Sequence, residues 1–133
     1  MLRNLAQLIK STLILAAATL TSTTTTIAKD LQGLKSFAWE VSFGAMAFDT
    51  SNYLTATITE SDDNSTFTAA PAEAYYPADQ LVFNAAGDAN AVHLIQYRGN
   101  KRYVKLVLTE TGTVSVPVAI NGISECPEFQ PKA

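Results

Sequence analysis

Hydrophobic and polar positions alternate with a period of two along most of this chain, the pattern of β-strands with one buried side. The longest such stretch spans residues 92–109. In its second half Val104, Leu106 and Leu108 fall on one face, and Tyr103, Lys105 and Thr109 on the other. Arg98-Gly99-Asn100-Lys101 separates the two halves, and Gly-Asn tolerates the positive φ of a tight turn. The pattern predicts an antiparallel hairpin. An isolated hairpin is marginal in water, so other strands must cover its apolar face.

Three further runs supply them. Phe37, Trp39, Val41 and Phe43 alternate with Ser36, Ala38, Glu40 and Ser42. Burying each of those large side chains contributes on the order of 1.5–3 kcal/mol, which marks a core strand. An aromatic row can also stack sugars or bases, but strict alternation with Ser and Glu favours the core. In residues 53–60, Leu54, Ala56 and Ile58 face in, while Thr55, Thr57 and Thr59 face an open or partner-covered side. In residues 114–120, Val114, Val116, Val118 and Ile120 share a face. Pro117, lacking a ladder donor, predicts an edge strand or a local irregularity there. Strands of this kind, joined by turns and without a convincing long helix, predict an all-β fold. It is an antiparallel β-sandwich of jelly-roll or immunoglobulin-like type, with the strand order left open.

The connections are less regular. Ser61-Asp62-Asp63-Asn64-Ser65 invites a calcium reading, but its oxygens are consecutive and no later bidentate Glu completes a loop. Asx-turn chemistry accounts for it. Asn64-Ser65-Thr66 is formally a glycosylation sequon, relevant only on a glycosylating secretory route. Residues 69–91 form a long loop with Pro71 and Pro77, and its Tyr75 and Tyr76 are candidate contact residues.

The first 28 residues read two ways. Arg3 and Lys10, then the apolar run 13–20, then Thr26-Ile27-Ala28, outline a cleavable secretory signal. Alternatively, Leu2, Leu5, Leu8 and Ile9 recur at helical spacing and residues 21–26 are β-prone, so the segment stays on the protein as an arm. The retained arm is the reading adopted, held in part by a neighbouring subunit. The apolar run is far too short to cross a membrane. The organisation expected is an arm over 1–28, a sandwich over 29–123 and an extended tail over 124–133.

Composition narrows the chemistry. With 47% hydrophobic and only 16% charged residues the chain is not disordered by composition. A net charge of −3 without a basic patch argues against nucleic-acid binding. Cys126 is the single cysteine, so no internal disulfide forms, and its neighbours include nothing that would activate a thiol. His93 is the single histidine and has no nucleophile or carboxylate beside it in sequence. Neither clustered metal ligands nor a Gly-rich phosphate loop is present. No catalytic residue, metal or cofactor is expected. The chain reads as a binding or structural module rather than an enzyme.

Several of these motifs occur together. Asp30-Leu31-Gln32-Gly33 precedes a hydrophobic strand; Glu60-Ser-Asp-Asp-Asn-Ser-Thr-Phe-Thr68, Asp88-Ala-Asn90 and Tyr97-Arg-Gly-Asn-Lys-Arg-Tyr-Val104 follow. In combination they resemble a family of small tailed-bacteriophage virion proteins, the capsid cement or decoration proteins. The resemblance covers about residues 30–122, and each motif alone is weak. It departs from the family pattern in a longer loop at Tyr75-Tyr76 and in the Cys126-Pro127 tail. In that family the segment before Asp-Leu-Gln-Gly belongs to the virion protein. The resemblance implies a capsid outer-surface location, the major capsid protein as partner, and a homo-oligomer, dimer or trimer, on the shell. On this reading Leu5, Leu8, Ile9, Leu13, Ile14, Leu15, Leu20, Tyr75 and Tyr76 make the contacts. The same fold also suits a tail or fibre component. With residues 1–28 cleaved it would suit a secreted or periplasmic binding module.

Overall fold

The computed structural model describes residues 9–34, 36–78 and 81–125. In chain order its strands are β1 (Ile9–Leu20), β2 (Thr24–Thr25), β3 (Lys29–Asp30), β4 (Ser36–Phe43), β5 (Tyr53–Ser61) and β6 (Thr68–Ala69). They continue as β7 (Tyr75–Tyr76), β8 (Val82–Phe83), β9 (Ala91–Tyr97), β10 (Tyr103–Thr111) and β11 (Val116–Glu125). Two single-turn 3-10 helices, Ala72–Ala74 and Ala86–Asp88, interrupt the long loop.

The alternating runs bury the faces their periodicity predicts. Phe37, Trp39, Val41 and Phe43 line the core from β4; Leu54, Ala56 and Ile58 from β5; Val104, Leu106 and Leu108 from β10. Val116, Val118 and Ile120 complete it from β11. Edge-to-face ring pairs knit the aromatic part together: Phe37 with Trp39 at 5.1 Å, and Phe43 with Phe48 and Phe83 at 5.6 and 5.0 Å.

The strands form two antiparallel sheets in the orders β1-β11-β4-β9-β7 and β2-β10-β5-β6, with β3 also on β10 and β8 also on β5. Treat β2 with β3, and β6 with β8, as two interrupted strands. With the two-residue β7 set aside, the described residues then form eight main strands, in which the first pairs the eighth, the second the seventh, the third the sixth and the fourth the fifth. That is one long antiparallel ribbon wound around a core, a jelly roll, and it decides between the two sandwich types.

Three expectations change. Residues 92–109 do not form a hairpin: β9 pairs β4 and β7, whereas β10 pairs β5, β2 and β3 in the other sheet. The connection between them arches from one layer to the other. Positive φ falls at Gly33, Asn64, Asn90 and Gly112 rather than at Gly99-Asn100. Gly99 has a different reason to be glycine, because a Cβ there would collide with the Tyr97 hydroxyl.

The Pro117 strand is interior, lying between β1 and β4. Pro117 is tolerated because its ladder with β4 begins one residue later, at Val118↔Phe43. Pro117 contributes only its carbonyl on that side, accepting from Gly44 N at 2.8 Å.

Finally, much of the stretch read as an arm is a strand. Ile9–Leu20 pairs along β11 of its own chain, and Ile14 and Leu20 enter the core. Ser124 and Glu125, read as the start of the tail, complete β11.

Candidate interaction surface

The outer face of the five-stranded sheet follows from which residues alternate with the core set. β4 contributes Ser36, Ala38, Glu40 and Ser42; β11 contributes Pro117, Ala119, Asn121, Ile123 and Glu125. On β9 the outward residues are Val92, Leu94 and Gln96. Cross-strand register orders them: Ile123, Ala38, Gln96 and Tyr76 form one row across four strands, and Asn121, Glu40 and Leu94 form the next.

This face is mostly small and uncharged, with large apolar side chains standing on it. Leu94 is 57% exposed, Val92 58%, Leu13 60% and Tyr76 60%. Its carboxylates already have neighbours: Asn121 Nδ2 donates to Glu40 Oε1 at 3.4 Å, and Ser36 Oγ to Glu125 Oε2 at 3.3 Å. At one end the surface dips into a groove of about 320 Å³ whose walls include Ile9, Ala38, Tyr76, Leu94 and Ile123. Exposed apolar groups gathered on a flat face are the kind of patch that a partner covers.

The end of the sandwich beside residues 98–102 is polar and braced. Tyr97 reaches from β9 to the opposite sheet, where its hydroxyl donates to Glu60 Oε1 at 2.7 Å and accepts from Lys101 N at 3.1 Å. Burial, and then the Glu60 carboxylate, push the Tyr97 hydroxyl up to about 12, so it stays protonated and donating. Lys101 Nζ pairs with Asp62 at 2.8 Å, and Arg102 grips Asp30 through Nε and Nη2, both at 2.9 Å. A cavity of about 390 Å³ opens here between Leu31, Leu34 and Phe37 on one side and Lys101 and Arg102 on the other. The ion pairs brace the end of the six-stranded sheet, and the Tyr97–Glu60 hydrogen bond ties the two sheets together there.

The Asp-rich turn is built as an Asx turn. Asp63 Oδ1 accepts from Ser65 N at 2.9 Å, Thr66 N at 3.0 Å and Ser61 Oγ at 2.9 Å, while Asn64 takes φ 60°. The backbone amides of Thr66 and Ser65 hold the Asp63 carboxyl at about 2, and the Arg102 guanidinium holds that of Asp30 at about 2. Both lie below the ordinary 3.8, so each contributes stability that is present above about pH 4 and is lost as the pH falls toward 2. The thermal midpoint is expected to fall between those pH values, and to fall less steeply in the Asp30→Asn/Asp63→Asn variant. Melts followed by circular dichroism check this; equal slopes would rule it out.

Of the contact residues expected from sequence, Leu5 and Leu8 lie outside the described residues. Ile9 and Leu13 lie on the outer face, in register with Glu125 and Asn121. Ile14 and Leu20 face the chain's own core, and Leu15 packs against it, so these three are not free for a partner. The cause is a bulge. The register with β11 slips between Leu13 and Leu15, turning Ile14 inward. Tyr75 is half-buried in β7, opposite Tyr97. Tyr76 projects outward with the Arg98 guanidinium 5.6 Å from its ring centre.

Val92 and Leu94 were not expected at the surface. The available signal was that residues 91–97 are apolar on both faces, since Ile95 and Tyr97 fill the inner one. His93 sits beside the Phe43 and Phe83 rings with Nε2 2.9 Å from the Asp88 carbonyl, a packed position. Cys126 lies outside the described residues. Among those described, no three His, Cys, Asp or Glu side chains are grouped to hold a metal, and no helix is long and apolar enough to cross a membrane.

Comparison with solved structures finds the same fold in a chain from the structure of infectious bursal disease virus, Gx strain. The TM-score is 0.55 at 12% sequence identity. The match covers 92% of this chain and 33% of that one, so this chain spans about a third of that chain's length. No family model and no curated protein matches the sequence.

Proposed function

We propose that this chain is a structural virion protein that binds the outer surface of a capsid and bridges neighbouring coat subunits as a cement or decoration protein. The observation that carries this reading is the jelly roll itself. Nearly the whole chain, 92% of it, corresponds to one part of a chain in a virus structure. The motif combination around Asp62 and Asn100 supports the narrower assignment to the cement proteins of tailed bacteriophages. The partner on this reading is the major capsid protein.

The physics of the role matches the surface. Holding coat subunits together against internal pressure needs shape, apolar anchors and backbone pairing, and no catalysis. Val92, Leu94 and Tyr76 are such anchors. They stand on a sheet where many of the other outward residues, Ser36, Ala38, Ser42 and Ala119 among them, are small. A secreted binding module with residues 1–28 cleaved fits less well. That cleavage would remove β1, with Ile14 and Leu20 from the core.

The test is to mix the purified full chain with empty capsid shells and measure co-sedimentation. Saturable binding to the outer surface is expected. The Val92→Lys/Leu94→Lys variant, still folded, should bind at least about tenfold more weakly, since each lysine would have to be desolvated against an apolar partner. Failure of the wild-type chain to co-sediment would remove the cement reading. Normal binding by the variant would remove this face from it.

A further inference from the structure

Among the described residues, three of the four sheet edges are closed by brevity. β7, β2 with β3, and β6 with β8 are pieces of two residues each, too short to template another strand. β1 is the exception. It is a twelve-residue edge strand, paired with β11 on one side, and after Lys10 it contains no charged residue and no proline. A long edge guarded by one lysine alone stays open to a further strand.

The part of β1 suited to this is Ile9 to Leu13. These five residues run in unbroken register with Glu125 to Asn121, whereas the register slips twice between Leu13 and Ala18. Ser124 Oγ contacts the Lys10 carbonyl oxygen at 3.5 Å, so Lys10 turns its carbonyl toward β11. By the alternation of an antiparallel ladder, Ile9, Ser11 and Leu13 direct their N–H and C=O groups to the edge away from β11, where no described strand pairs β1.

We infer that residues 9–13 of β1 pair antiparallel with the same residues of a second copy, about a twofold axis through Ser11. This register sets Ile9 opposite Leu13 of the second copy, twice, on the outer face. Leu13, now 60% exposed, gains an apolar neighbour. It sets Lys10 opposite Thr12, which keeps the two ammonium groups apart. An axis through Lys10 would oppose like charges, and one through Thr12 would carry the pairing into the bulge. Ser11 meets Ser11 in a hydrogen-bonded pair, and the two five-stranded sheets become one continuous sheet with an isologous interface. The inference does not depend on the virion reading.

Cross-linking tests it on the full chain carrying Cys126→Ser. In a hydrogen-bonded pair the two Ser11 Cα atoms would lie about 5.5 Å apart, within disulfide reach. Oxidised Ser11→Cys is expected to run as a covalent dimer, while Thr19→Cys, well away from the axis, stays monomeric. Ser11→Lys, which places two ammonium groups on the axis, should weaken the dimer at least about tenfold in sedimentation equilibrium, with an unchanged melting temperature at a dilution where both chains are monomeric. A full chain that is monomeric at about 0.1 mM, or a dimer that Ser11→Lys leaves intact, would overturn the inference. Should Ser11→Lys fold poorly, the cysteine pair decides, and equal cross-linking at positions 11 and 19 would overturn it.

Discussion

Removal of residues 1–28 is expected to leave no cooperatively folded protein. The deletion takes away β1 and β2 and with them Ile14, Leu20 and Thr26, all buried. Burial of two large aliphatic side chains contributes roughly 3–6 kcal/mol together, before any ladder hydrogen bond is counted. The whole stability of such a domain is about 5–15 kcal/mol. The loss extends to neighbours. β11 gives up one of its two partners and becomes an edge, exposing the backbone beside Val116, Val118 and Ile120. On the other sheet, Leu106 N loses the Thr26 Oγ1 acceptor at 3.0 Å and Leu106 O loses the Thr26 N donor at 2.9 Å. Leaving such groups buried without partners costs about 1–3 kcal/mol each. Soluble yield and a thermal melt measure the outcome. A truncated chain that melts within about 5 °C of the full one would show that β1 is dispensable. For the same reason a truncation cannot report on docking, which point substitutions on the outer face probe instead.

Trp39→Ala carries the second large effect. Trp39 is fully buried on β4, the central strand of its sheet, and packs edge-on against Phe37 with the rings at 83°. Large-to-small changes at such sites destabilise by about 3–5 kcal/mol, because the surrounding core closes only partly over the void. For a domain of this size that lowers the midpoint by roughly 10–20 °C. Trp39→Phe should lose much less. It keeps most of the ring volume and removes an indole N–H that has no acceptor among the described residues. Denaturant or thermal unfolding of the two variants separates the cases, and a loss under about 1 kcal/mol for Trp39→Ala would contradict the central position given to this side chain.

The likeness to a chain from a virus structure concerns the fold, and the outer sheet face supplies what a binding role would use. Both bear on how the surface should be perturbed. Val92, Leu94 and Tyr76 can be changed without touching the core, whereas Ile14, Leu15 and Leu20 cannot. An experiment that aims at contacts through Ile14, Leu15 or Leu20 would therefore measure unfolding.

The amino-acid sequence by itself determined the strands over residues 36–43, 53–60 and 103–109 and which of their faces are buried, but not the strand over Ile9–Leu20. At Phe37, Trp39, Val41 and Phe43, or at Val104, Leu106 and Leu108, a side chain's neighbours two residues away state its burial directly, because the period of a strand is local. It determined the Asp63 turn as well, since an Asx turn is made by residues within three positions of one another. Tertiary structure alone decided which strand lies beside which. β9 and β10 follow one another and each has an apolar inner face, yet those faces meet across the core instead of sharing one sheet. Periodicity is the same in both arrangements, and only the long-range pairing of β4 with β9 and β5 with β10 distinguishes them. The bulge that turns Ile14 inward and leaves Leu13 outside is likewise a property of the β1–β11 register, and β11 lies about a hundred residues further along the chain.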